Sequence, residues 1–159
     1  MSEEQVFVTV INASREAVWK ALTTDTFTEQ YWHGTRARSS WQPGSRVDFL
    51  VDGDEIGCTG EVLEMRLHEY LSYTWSFPRN PLVSEETPSR VSFRLETIGD
   101  KSDGQTATRL TVVHDQFPLG SRMPEMVGPG WPLVLSGLKT LLETGTALDY
   151  SSMTLVNPG

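Results

Sequence analysis

Polar and apolar residues alternate through the middle of this chain, and the spacing becomes helical near both ends. Residues 5–11, "QVFVTVI", are β-branched and aromatic, which predicts a strand buried on at least one face. In "SREAVWKAL" (14–22), Ala17, Val18, Ala21 and Leu22 form an inward side with Trp19 beside it. Ser14 stands as N-cap there and Glu16 lies in the first turn, so a short helix is expected. A second short helix is read in "TDTFTEQYWHG" (24–34), with Thr26 and Glu29 as a capping box and Gly34 as the stop.

Strand patterns then follow one another. "TRARSSW" (35–41) ends at the turn "QPGS", and "RVDFLV" (46–51) places Val47, Phe49 and Val51 on one face. "DGDE" (52–55) is a hairpin tip from which "CTGEVLEMRL" (58–67) returns. "YLSYTWSF" (70–77) alternates Tyr73, Trp75 and Phe77 with Ser72, Thr74 and Ser76. A loop, "PRNPLVSEETP" (78–88), leads to "SRVSFRLE" (89–96), where Val91, Phe93 and Leu95 share a face. After the turn "GDKSDGQ" (99–105), "ATRLTVVH" (107–114) puts Leu110, Val112 and His114 on one side. "DQFPLGSRMPEMVGPG" (115–130) reads as a loop or ragged lead-in.

The last element is the most distinctive. In "GPGWPLVLSGLKTLLETG" (128–145), Trp131, Val134, Leu135, Leu138, Leu141 and Leu142 fall within an arc of roughly 120°. Pro132 suits the first helical position, and Gly145 a left-handed C-cap. Gly137 sits at the edge of the apolar arc and is read either as a tolerated defect or as a sign of close backbone approach or room for another molecule. Sequential strands with short turns make an antiparallel sheet. Strand, two helices, six strands and a long helix make an α+β fold of about seven strands, with the helix laid across the sheet. Residues 1–145 are read as one domain and 146–159 as a polar tail.

Composition narrows the partners. With 21 acidic against 13 basic residues the net charge is −8, which argues against nucleic acid and anionic membrane surfaces. The single cysteine, Cys58, excludes an internal disulfide, and the acidic start "MSEEQVFVTV" is no signal peptide. No apolar run approaches the ~20 residues that span a bilayer. A cytoplasmic protein without membrane insertion is expected.

Catalytic and metal signatures are sparse. His33, His68 and His114 lack spaced partners typical of zinc sites, and Asp52, Asp54 and Glu55 lack the further ligands of a calcium loop. Cys58 has no neighbouring base and reads as buried and inert. No nucleophile elbow, phosphate loop or dinucleotide fingerprint occurs. No metal, cofactor or catalytic residue is assigned, and the chain is not read as an enzyme. His114 is read as a structural, hydrogen-bonded residue before an acid–base one. One of Glu61 and Glu64 is expected to face inward, because they lie on opposite faces of a regular strand.

Taken in order, "REAVWKALTT", "GEVLEM" with "LSYTW", "PSRVSFRLE", "TRLTVVHDQF" and "GWPLVLSGLKTLLETG" resemble the activator-of-heat-shock-protein-90-ATPase homologue group. That group belongs to the START-like (helix-grip, Bet v 1-like, SRPBCC) superfamily, and the resemblance spans about residues 5–145. It implies a curved antiparallel sheet gripping a long C-terminal helix, often with a cavity between them. Relatives include lipid and flavonoid carriers, hormone receptors, polyketide cyclases and a co-chaperone domain. The expected function is binding of a small hydrophobic or aromatic ligand, of lipid, flavonoid or polyketide-like kind. The expected site is Trp32, Phe49, Tyr73, Trp75, Phe93, His114, Trp131, Leu135 and Leu138. The alternatives are a co-chaperone-like module acting on an ATPase, though without that protein's separate N-terminal domain, and a cyclase- or hydrolase-like enzyme using His114.

Overall fold

A computed structural model of the chain describes residues 3–99 and 106–149. The turn read at 99–105 and the tail read at 146–159 therefore lie largely outside the described residues.

The elements in chain order are β1 (Gln5–Ile11), α1 (Arg15–Thr23), α2 (Asp25–Tyr31), β2 (Arg36–Arg38), β3 (Arg46–Val51), β4 (Glu55–Arg66), β5 (Tyr70–Trp75), β6 (Ser89–Ile98), β7 (Ala107–Asp115), α3 (Met123–Val127) and α4 (Gly130–Thr144). The seven strands form one antiparallel sheet in the order β1-β7-β6-β5-β4-β3-β2. Register shifts between Phe49 and Leu50 in β3 and between Val62 and Glu64 in β4 are bulges, which bend a strand and increase its twist. The sheet curves around α4, whose buried face is Trp131, Val134, Leu135, Gly137, Leu138 and Leu141. At roughly 1.5–3 kcal/mol for each large side chain withdrawn from water, this face holds the helix to the sheet.

Local chemistry sets the helix ends. The Ser14 side chain accepts from the Ala17 N–H at 3.1 Å. Ser14→Ala is expected to lower unfolding free energy by about 1 kcal/mol in denaturant titrations. Gly145 ends α4 in the left-handed conformation at φ 84°, its N–H donating to Leu141 O.

Four local expectations are corrected. The α2 N-cap is Thr24, not Thr26, and its side chain makes no capping bond. Thr26 lies inside the helix, where its carbonyl accepts from the Gln30 side chain, so no capping box forms with Glu29. Helix α4 starts at Gly130, which puts Pro132 third rather than first, still in the turn where an N–H has no helical partner. Within the stretch read as a loop, residues 123–127 form α3, with Met123 and Val127 buried. The β4 bulge overturns the inward carboxylate as well. An extra residue breaks the alternation, so Glu61 and Glu64 are both exposed while Val62 is buried.

Gly60 sits where β4 crosses β5. A Cβ there would fall 1.8 Å from the Thr74 carbonyl oxygen. At the open edge of the sheet, Lys139 donates from α4 to Val10 O, which blunts an edge carbonyl that would otherwise offer itself to another strand.

Candidate functional site

Strand alternation delivers a set of rings to the space beneath α4. Phe49 comes from β3, Tyr73 and Trp75 from β5, Phe93 from β6, Trp32 from the end of α2 and Trp131 from the first turn of α4. All are buried. Trp75 is at their centre, with ring centroids 5.2 Å from Phe49, 5.8 Å from Trp131 and 6.2 Å from Trp32, the last pair stacked. These separations match the offset and edge-on arrangements favoured by ring quadrupoles.

The rings do not close the space completely. A cavity of about 300 Å³ lies between the sheet and the α3–α4 segment. Phe49 and Val51 of β3, Gly57 and Cys58 of β4, and Trp75 and Phe77 form one wall. Met126, Val127, Gly130, Trp131 and Val134 form the other, and Trp32, His33 and Thr35 close one side. None of these residues is a Lys, Arg, Asp or Glu. Partial burial lowers the His33 pKa, which favours its neutral form. A second depression of about 390 Å³, bordered by Arg46, Thr59, Glu61 and Thr74, is polar. Thr74 alternates with Tyr73 and Trp75, which puts that depression on the other face of the sheet.

Of the residues expected from sequence, Trp32, Phe49, Trp75 and Trp131 border the cavity. Tyr73, Phe93, His114, Leu135 and Leu138 lie in the continuous buried core behind them. Sequence reading missed Met126 and Val127, although the i, i+4 spacing of Met123 and Val127 was a visible sign of a helical turn. It also missed Gly57 and Cys58, whose place depends on the pairing of Phe49 with Cys58. The helix glycine bordering the cavity is Gly130, where an added Cβ meets nothing within 4 Å.

His114 is fully buried and its two ring nitrogens are both engaged. The Trp131 indole N–H donates to Nδ1 at 3.2 Å. Nδ1 is therefore the acceptor, and Nε2 carries the proton and donates to Ser89 Oγ at 2.7 Å. The Ser89 hydroxyl in turn donates to Trp75 O at 3.4 Å. The relay ties α4 to β7, β6 and β5. Burial drives the His114 pKa down to about 3, against a small opposing pull from Asp115. Asp115 is itself held by a two-bond pair with Arg90, at 2.9 and 2.7 Å. A protonated imidazole would turn Nδ1 into a donor facing the Trp131 donor, so this geometry requires the neutral ring.

Neither His114 nor Cys58 has the freedom a catalyst needs. Burial pushes the Cys58 thiol well above its usual range, which leaves it protonated and weakly nucleophilic. Among the described residues, no three His, Cys, Asp or Glu side chains gather closely enough to hold a metal ion. Among them, too, no helix is long and apolar enough to cross a membrane.

Comparison with known proteins places this arrangement. The family model described as "Activator of Hsp90 ATPase homolog 1-like protein" matches residues 12–143. No curated protein matches the chain. Among solved structures, protein MLL2253 from Mesorhizobium loti superposes with a TM-score of 0.72 at 24% identity, over 89% of this chain and 97% of that one. An HSP90 activator from Plasmodium falciparum, PFC0360w, gives a TM-score of 0.70 at 17% identity, over 90% and 96%. The Aha1 dimer from Colwellia psychrerythraea gives 0.67 at 23% identity, over 90% and 98%. At these identities the likeness shows a shared fold.

Proposed function

The chain belongs to the activator of Hsp90 ATPase homolog 1-like family, and from its cavity we propose that it binds a small, neutral, mainly aromatic molecule between the sheet and α4. The observation carrying this reading is the cavity of about 300 Å³, walled by aromatic and aliphatic side chains and free of ionised ones. Ligand pockets are typically apolar clefts of roughly 300–1,000 Å³ with a few placed polar groups. At the small end of that range, one or two rings fit better than a long-chain lipid. An engineered apolar cavity of about 150 Å³ is enough to take up benzene. The engaged His114 and the silent Cys58 support binding rather than turnover.

Ethylbenzene is a suitable first probe. At about 100 times its Kd, a ligand specific for the folded state adds about 2.7 kcal/mol. For a chain of this size that raises Tm by about 5–11 °C. Gly130→Leu places bulk at the cavity wall and is expected to abolish most of the shift while leaving a cooperative melt. An equal shift in wild type and variant would put the ligand elsewhere.

Family membership favours a second reading, contact with a chaperone ATPase. It predicts that the purified protein accelerates ATP hydrolysis by Hsp90, and that Gly130→Leu, which alters only the cavity, does not reduce the effect. An unchanged hydrolysis rate would remove it.

A further inference from the structure

The cavity changes character from its mouth inward. Its buried lining is ring and aliphatic surface around the Cys58 thiol, which faces the Thr59 carbonyl. The lining residues that reach solvent form a rim, and the polarity of that rim is one-sided. Val51, Phe77 and Met126 are apolar, whereas His33 and Thr35, on the turn between α2 and β2, are polar. His33 is exposed and Thr35 half-buried, so neither is sealed in the core. The turn sets both in place. Trp32 caps the end of α2, His33 and Gly34 are left-handed at φ 53° and 72°, and the Thr35 N–H donates to Trp32 O at 2.9 Å. One short segment thus supplies an indole to the interior, packed 5.3 Å from Phe49, and an imidazole and a hydroxyl to the rim.

Resting on the ligand-binding reading above, we infer that the cavity takes aromatic alcohols, a ring with a hydroxyl on a short chain, bound ring-inward with the hydroxyl at the His33–Thr35 side of the rim. The volume of about 300 Å³ suits one ring and a short chain. Orientation follows from the cost of drying a polar group. A hydroxyl carried into the apolar interior gives up its water, whereas one left at the rim keeps polar neighbours. The choice of hydroxyl follows from the rim's own chemistry. A neutral imidazole offers one donor and one acceptor, and a threonine hydroxyl offers both, so a group that also donates and accepts matches them. A carboxylate only accepts, and the lining holds no Lys or Arg to pair with it.

The test compares phenethyl alcohol with propylbenzene, which match in shape and differ in one terminal group, and uses phenylacetate as the charged control. Propylbenzene is the more hydrophobic, so the informative quantity is the ratio of the two Kd values in wild type divided by the same ratio in a variant. Two variants are used. His33→Gly removes the imidazole and suits the left-handed turn, and Thr35→Val removes the hydroxyl while keeping the side-chain shape and the backbone N–H. A single hydrogen bond of ordinary net strength predicts a quotient of about 3–10 in favour of the alcohol in wild type, in at least one of the two. Phenylacetate is expected to bind at least about threefold more weakly than the alcohol. A second readout needs no substitution. With the three histidines ¹⁵N-labelled, the His33 ring nitrogens should shift with phenethyl alcohol beyond their response to propylbenzene. His68, packed on Trp19, is the internal reference. Quotients of one in both variants, with the same His33 response to both compounds, overturn the inference and leave the cavity reading intact. Phenylacetate binding as tight as the alcohol overturns the choice of hydroxyl. Failure of both neutral compounds to bind overturns the cavity reading and the inference together.

Discussion

Gly60→Ala is expected to lower the unfolding free energy by about 3 kcal/mol or more, the largest loss from adding a single methyl group considered for this fold. The added carbon would sit 1.8 Å from the Thr74 carbonyl oxygen, against backbone rather than a yielding side chain. Relief requires β4 and β5 to separate where Glu61 N donates to Thr74 Oγ1 at 2.9 Å and Thr59 bridges Ser76. The strain would reach the cavity, because Cys58 and Trp75 stand on either side of this crossing. Gly130→Ala is the matched control. Its Cβ meets nothing within 4 Å and lies in the first turn of a helix, so it should be neutral or stabilising by up to about 1 kcal/mol. Chemical denaturation of both variants settles the matter. A Gly60→Ala protein within about 0.5 kcal/mol of wild type would mean that the strands do not approach as described.

The second large effect is a loss of stability in mild acid through His114. Its folded pKa of about 3 lies below the ordinary value of 6.5, so the folded state resists a proton that the unfolded chain accepts. The stability is complete above the unfolded value and declines as pH falls from there toward the folded value. The slope approaches about 1.4 kcal/mol per pH unit, or about 2–3 kcal/mol between neutrality and pH ~4.5. His33, its pKa also lowered by burial, contributes a loss of the same sign as pH falls from its ordinary value, and the carboxylates act lower on the scale. Glu143, held down by Lys139 and the Asn12 N–H, loses its contribution only as pH falls below the ordinary carboxylate range. His114→Gln isolates the imidazole. It should cost about 1–3 kcal/mol at neutral pH, through the disturbed Trp131 and Ser89 bonds, and leave above pH ~4.5 only the part of the dependence that His33 contributes. Unfolding free energies measured across this range in both proteins give the comparison. Parallel curves, or a His114 ring proton titrating near 6.5, would contradict the buried neutral relay.

Particular residues show how far the sequence carried the reading. The seven strands, both N-terminal helices and the C-terminal helix were legible because alternation, caps and the Gly145 stop are local signals. His114 was placed on the buried face by its spacing from Leu110 and Val112. Its partners were not legible, since Ser89 reaches it only through the β6–β7 register and Trp131 through the docking of α4. Gly60 gave no sign of its role, because the close approach exists only once β5 is beside it. The bulge between Val62 and Glu64 is equally invisible to a strict two-residue period. The aromatic set was named from one face of each strand, but nothing local distinguishes rings that border the cavity from those that fill the core behind it. That division follows from where α3 and α4 stand over the curved sheet.

The five tryptophans make the central claim directly measurable. Trp32, Trp75 and Trp131 border the cavity, whereas Trp19 and Trp41 do not. A titration of ¹⁵N-tryptophan-labelled protein with ethylbenzene, followed by the indole resonances, reads all of them at once. Ligand binding between the sheet and α4 predicts saturable shifts for Trp32, Trp75 and Trp131, with Trp19 and Trp41 unmoved. Resonances that all stay fixed, or that drift together without saturating, would contradict it.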